Sequence, residues 1–172
     1  KEVEVKASSF LPNWRKNKDY RYTVSAQKNL GGGVLLELSH EIDYLSWIFG
    51  AVKWVKSSVS KQSNLDLDVE DNAHTLVRLE SGVIGSIHSS WGTRVRRDDQ
   101  LTFKIDGTEG SAVAGLWDCW TQTADGTPAL GTFNLGIAER SSPTRDFRGD
   151  WQIMPTDGNY KNPYRYGWET FI

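Results

Sequence analysis

Two groups of residues in this chain have types and spacings suited to chemistry on a small polar ligand. The first lies in VLLELSHEIDYLSWIFG, residues 34–50, where Glu37, His40, Asp43, Tyr44 and Trp47 recur at intervals of three or four. At about 100° per residue they gather on one side of a helix, so ionisable and aromatic groups share a face. The ordinary alternative is a solvated face whose carboxylates pair with nearby arginines. The second group lies in LPNWRKNKDYRYTVSAQKN, residues 11–29, a polar, aromatic and basic stretch without period. A long irregular segment in a compact domain is usually functional. Its Trp14, Arg15, Tyr20 and Arg21 combine flat apolar faces with forked donors, which suits stacking on and hydrogen bonding to a sugar or its carboxylate. The same residue types are enriched at interfaces, so a loop that latches onto a neighbouring domain or subunit is the competing reading. Trp91 and Arg94, at the end of an expected strand, either join this site or cap the sheet.

Several other chemistries find little support. His74 and His88 fall in neighbouring expected strands and can face each other, but two histidines on a strand pair are more often ordinary surface residues than metal ligands. No Gly-x-Ser-x-Gly nucleophile elbow occurs. Nor does a strand run into a Gly-x-Gly-x-x-Gly turn, the arrangement that lets backbone approach a pyrophosphate. Gly31-Gly32-Gly33 does open a helix, but it reads as a flexible or closely packed start to that helix and not as a phosphate cradle. Nothing in the chain looks self-sufficient for catalysis.

The elements that must position these residues are legible in outline. Val3, Val5 and Ala7 alternate with Glu2, Glu4 and Lys6, the period of a half-buried strand. Leu35, Leu38, Ile42, Leu45 and Phe49 form the apolar stripe of one helix that starts after Gly33 and stops at Gly50. Five strands are expected after it, at 52–60, 73–79, 83–91, 100–106 and 111–123. Glu80-Ser81-Gly82 and Asp106–Gly110 have tight-turn chemistry, which makes successive strands antiparallel hairpins. Residues 124–162 are rich in turn formers and carry little period, and Asn162-Pro163 has the signature of a helix start.

The 172 residues suffice for one domain with a sizeable core. The chain opens without Met in a strand pattern and stops with a helical pattern still running, so it reads as a single domain cut from a longer protein. Twenty basic and 22 acidic residues are interspersed for a net charge of -2, which offers no basic field to nucleic acid or anionic lipid. No stretch approaches the about 20 apolar residues that span a bilayer, and KEVEVK is not a signal peptide. The lone Cys119 excludes an intrachain disulfide and suits a reducing cytoplasm.

The string GGGVLLELSHEIDYLSWIFG at 31–50 resembles the signature helix of the glucose-fructose oxidoreductase, inositol dehydrogenase and MocA (Gfo/Idh/MocA) family. SSFLPNWRKNKDYR at 8–21 is similar to the substrate loop of its sugar-acting members. VEDNAHTLVRLESGVIGSIHSSWGTR at 69–94 and FKIDGTEGSAV at 103–113 are similar to two hairpins of its C-terminal domain. The resemblance implies an α+β fold: a large, mostly antiparallel open sheet with helices on one face, and no dinucleotide-binding domain within this chain. It implies NAD or NADP in the full-length protein, bound mainly by an N-terminal dinucleotide-binding domain outside this chain, with no cofactor held here. It also implies a sugar or polyol substrate, a sheet face that pairs with another subunit, and a family lysine that lies outside this chain.

The family's helical histidine corresponds to His40, which the resemblance makes a hydrogen-bonder or proton relay at the reacting hydroxyl. An imidazole suits that role, since it titrates near neutral pH. The family's usual carboxylate four residues earlier is Leu36 here, and Glu37 stands in for it on the same helical face. Asp43 joins the loop residues as a candidate for binding substrate. The expected function is therefore the substrate-binding and oligomerisation domain of an NAD(P)-dependent oxidoreductase acting on a sugar, polyol or sugar acid. Two alternatives stand beside it: a carbohydrate-binding or protein-interaction module that uses the eight tryptophans without chemistry, and a family member kept as an inactive scaffold. Trp117, Trp120 and Trp151 are expected in core or interface.

Overall fold

The structure is a computed structural model that describes residues 1–15, 17–94, 100–115, 119–123 and 152–153. The expected turn-rich stretch 124–162 and the helix start at Asn162-Pro163 lie outside these, apart from residues 152–153. So do Trp117 and Trp151.

Among the described residues, eight strands form one sheet: β1 (Glu2–Ser8), β2 (Val52–Ser60), β3 (Asn72–Leu79), β4 (Ile84–Ser90), β5 (Leu101–Asp106), β6 (Gly110–Gly115), β7 (Cys119–Thr123) and β8 (Gln152–Ile153). Their spatial order is β2-β3-β4-β1-β5-β6-β7-β8. The first strand thus sits inside the sheet, parallel to β4 and antiparallel to β5. The remaining neighbours are antiparallel, as the turn chemistry at 80–82 and 106–110 leads one to expect. One expected element is corrected. Residues 111–123 do not form a single strand: the chain reverses, so that Val113 pairs with Trp120 and Ala114 with Cys119. Gly115, with no side chain to pack, ends the first of the two strands.

The alternation in β1 sets the register. Val5 lies between Ile87 of β4 and Phe103 of β5, and these side chains share the covered face with Val3, Val77 and Leu79. Glu4, Lys6, His74, Leu76, Ile84 and His88 belong to the opposite, open face.

The expected single helix is two. A turn, α1 (Val34–Glu37), is followed at Leu38 by a break, with φ -104° and ψ 23°, and then by α2 (Ser39–Phe49). The start of α1 is fixed from far along the chain. Glu70 accepts the Val34 amide on its carbonyl at 3.1 Å and the Leu35 amide on its carboxylate at 3.2 Å, which ties α1 to the segment before β3. Gly33, at φ 120°, lies directly against that carboxylate, where a Cβ would collide with it. Gly32 faces the carbonyls of Val24, Ser25 and Gln27 in the same way. The glycines are therefore occupied in close packing.

The break divides the apolar stripe between two cores. Leu45, with Ile42 and Phe49, packs α2 on the sheet, while Leu35 and Leu38 join Leu11, Ala26, Val34, Leu67, Val69, Ala73 and Trp91 in a second cluster. That second cluster anchors the 11–29 segment, which folds as four single turns of 3₁₀ helix: Leu11–Asn13, Tyr20–Tyr22, Val24–Ala26 and Lys28–Leu30. Loop and helix start are thereby held at the C-terminal end of β1.

Candidate functional site

Where these three pieces meet there is an open cavity of about 560 Å³. Ala7, Ser8 and Ser9 at the end of β1 form one wall and Trp14 and Arg15 a second. Glu37, Leu38, His40, Glu41 and Tyr44 form a third, with Gln100 and Leu101 beside them. The two residue groups singled out in the sequence are thus brought together in part. Trp14, Arg15, Glu37 and His40 line this cavity; Tyr20, Arg21, Asp43, Trp91 and Arg94 do not.

Each of those five has a different setting. Tyr20 packs against the second core, and its hydroxyl accepts the Asp66 amide at 2.9 Å. Arg21 is exposed and bound to Asp19 at 2.5 Å, with Asp66 at 3.8 Å. That pairing holds the Asp19 carboxyl below its usual range. Asp43 is exposed. Trp91 is fully buried and in edge contact with Trp14 at 5.9 Å between ring centroids. Arg94 lies 4.0 Å over the ring of Phe10.

Trp14 keeps a partly exposed indole, whose N–H donates to Ser9 Oγ at 2.6 Å and so fixes the ring on the cavity wall. Glu37 is held by the Ser25 hydroxyl, 2.7 Å from both carboxylate oxygens. His40 is half exposed at the first turn of α2; its Nε2 lies 3.0 Å from Glu41 Oε1, and its ring meets the edge of Tyr44 with centroids 6.0 Å apart.

Glu41 is the site residue that spacing arguments pass over, because neighbours at i and i+1 do not normally face each other on a helix. It is only 2% exposed, and burial pushes its carboxyl above the usual range, opposed by the nearby His40. Its Oε2 is buried without a hydrogen-bond partner among the described residues, and the same holds for Ser8 Oγ on the facing wall. The position in the first turn of α2 favours negative charge there, which offsets some of the burial penalty. An imidazole with one ring nitrogen against a carboxylate and half its surface open is equipped to take a proton from a bound hydroxyl.

Gly32 and Gly33 of the helix entry are closely backed by the carbonyls of Val24, Ser25 and Gln27 and by the Glu70 carboxylate, whereas Gly31 is open. No cluster of three or more His, Cys, Asp or Glu positioned to hold a metal ion occurs among the described residues. His74 and His88 do face each other, stacked at 3.9 Å on the open sheet face, and burial, with His74 and Lys6, lowers the His88 pKa. A second hollow of about 540 Å³ surrounds them, on the side of the sheet away from His40. Among the described residues, no helix is long and apolar enough to cross a membrane.

An interior first strand, a mostly antiparallel sheet, and a helix broken at its start and laid on one face define an α+β domain. Residues 3–113 match the family model described as the GFO/IDH/MocA C-terminal domain, and the chain belongs to that family. It is 32% identical to a D-xylose dehydrogenase from Paenarthrobacter nicotinovorans over 99% of this chain and 44% of that protein. It is 30% identical to a 1,5-anhydro-D-fructose reductase from Ensifer adhaerens over 58% of this chain and 29% of that protein. A levoglucosan dehydrogenase solved with NADH and levoglucosan shares the fold, with TM-score 0.66 and 20% identity over 90% of this chain and 39% of that one. The chain spans less than half the length of these relatives.

Proposed function

We propose that this chain is the substrate-binding and oligomerisation domain of a nicotinamide-dependent oxidoreductase acting on a sugar, polyol or sugar acid. The observation that carries the reading is the cavity at the end of β1, in which the His40–Glu41 pair faces a wall made by Trp14 and Arg15. The indole supplies a flat apolar surface for a sugar ring, and the guanidinium a forked donor for its hydroxyls or carboxylate. Family membership and relatives named as sugar dehydrogenases and a sugar reductase support the same substrate class. The nicotinamide, which takes up or gives the hydride, belongs to a dinucleotide-binding domain beyond these residues. The open sheet face, with Leu76 and Ile84 half exposed beside Trp54, is the surface for a second copy.

A buried carboxylate oxygen without a donor is a costly feature that a module with no chemistry has no use for, which weighs against the carbohydrate-binding and scaffold alternatives. The test is turnover by the protein as its gene encodes it, with NAD⁺ or NADP⁺ and a panel of aldoses, polyols and sugar acids, followed by nicotinamide absorbance. Reduction by at least one sugar is expected, together with a loss of about 10²-fold or more in His40→Ala. Sugar binding by calorimetry with no turnover on any member of the panel would favour the non-catalytic module instead.

A further inference from the structure

We infer that Glu41 is the carboxylate that positions His40 for proton transfer at the reacting hydroxyl, in place of Glu37. The inference rests on the oxidoreductase reading above. Glu37 lines the same cavity, but its two oxygens are engaged by the Ser25 hydroxyl, and Leu36 points 64% of its surface to solvent. Glu41 alone among the three is in contact with the imidazole, 3.0 Å from Nε2. On this reading the approach, an ion-pair distance, draws the Nε2 proton toward Glu41 Oε1 and leaves Nδ1 as the lone pair offered to the ligand.

Nicotinamide bound beside the substrate would take up the hydride of the carbinol carbon; this chain's part is the proton, which passes from the carbinol O–H to His40 Nδ1 as the C=O bond forms. The ring becomes an imidazolium whose charge Glu41 compensates, and the carbonyl product leaves with its new C=O bond. Glu41 exchanges no proton with the substrate and so acts as a positioning residue, as the carboxylate does in a hydrolase triad. The other charged or titratable side chains lining the cavity are Arg15, Glu37 and Tyr44. None of them is in ion-pair contact with Glu41 among the described residues.

The test pairs ¹⁵N-histidine NMR with kinetics on the protein as its gene encodes it. Its His40 ring is assigned by disappearance in His40→Gln, and the rings of His74 and His88 serve as internal references. Wild type is expected to show His40 protonated at Nε2 and bare at Nδ1. Glu41→Leu, which keeps the buried volume but removes the acceptor, should give a mixture of tautomers. Glu41→Gln, whose amide oxygen still accepts, should keep the tautomer yet lower kcat between about 10²- and 10⁴-fold with KM little changed. An unaltered His40 ring in Glu41→Leu, or a wild-type kcat in Glu41→Gln, overturns the assignment while the oxidoreductase reading stands. A wild-type protein inactive on every sugar with either nicotinamide overturns the oxidoreductase reading and, with it, any catalytic use of the pair.

Discussion

Two buried carboxylates, Asp71 and Glu41, are exposed by only 1% and 2%, and their surroundings differ in a way that separates scaffold from site. Asp71 accepts the Gln62 amide at 2.7 Å and the Ser63 amide at 3.1 Å, and the Ser63 hydroxyl donates to it as well. It ties the loop after β2 to the start of β3 through three hydrogen bonds. Among the described residues Glu41 has one ion-pair partner, a half-exposed imidazole, and an oxygen with no donor. A fold that satisfies one acid so fully and leaves another so bare has arranged the second for something other than stability.

The largest expected effect sharpens the scaffold side. Asp71→Asn preserves shape but turns an amide NH₂ toward one side of the donor set, leaving at least one part-buried donor without an acceptor. At about 1–3 kcal/mol per unsatisfied group, a loss of roughly that size should be read as a lower urea midpoint. Leu45→Ala, which opens a cavity between α2 and the sheet, belongs in the same range at about 2–5 kcal/mol. An Asp71→Asn protein as stable as wild type would erase the contrast between the two acids.

Next comes Glu41→Leu, with the opposite sign. The Glu41 carboxyl is raised above its ordinary value of 4.5, chiefly by burial, so the folded chain binds its proton more tightly than the unfolded chain. Stability from this group is therefore full below the ordinary value and is lost as pH rises through the raised one. Above that raised value the wild type bears the buried charge. Replacing it with Leu should stabilise by roughly 1–2 kcal/mol, a gain that shrinks as the pH falls toward the carboxyl's usual range. Thermal melts across that pH range measure it. A variant less stable than wild type at neutral pH would place Glu41 with Asp71 as a structural acid.

The contrast also marks what could be read from the chain itself. Alternation at Val3, Val5 and Ala7 announced β1 and its covered face, because period two survives whatever the strand pairs with. Its interior position did not show, since neither flank of a strand reveals whether its partners come from 80 or 100 residues later. The helix break at Leu38 was hidden for a similar reason. The apolar spacing runs straight through it, and the contact that fixes the start of α1 comes from Glu70, some 35 residues later. Four of the nine site candidates reach the cavity. Arg21 had the right chemistry, but Asp19, two residues before it, already occupies its guanidinium. Glu41 was overlooked in a run whose i, i+3 and i+4 relations were the signal; an acid beside the key histidine at a helix start was the clue available.

The smallest expected effect compares two serine hydroxyls, one beside each acid. Ser63 Oγ donates to Asp71 and accepts the Leu65 amide at 3.1 Å, so Ser63→Ala removes two bonds and leaves an amide without its acceptor. A loss of about 1–2 kcal/mol follows. Ser8 Oγ is buried with no partner among the described residues, so in Ser8→Ala no bond is broken and an unsatisfied polar atom is removed. The change should be neutral or stabilising by a few tenths of a kcal/mol, on the order expected for deleting an unpaired polar atom without opening a large void. Urea unfolding of the two variants beside wild type reads both. If Ser8→Ala lost as much as Ser63→Ala, the hydroxyl would have a bond that holds the fold together, and the end of β1 would be as fully satisfied as the Asp71 loop. If it kept its stability while its KM for the sugar rose, the hydroxyl would be reserved for the ligand, as the bare oxygen of Glu41 is reserved for the charge that forms beside it.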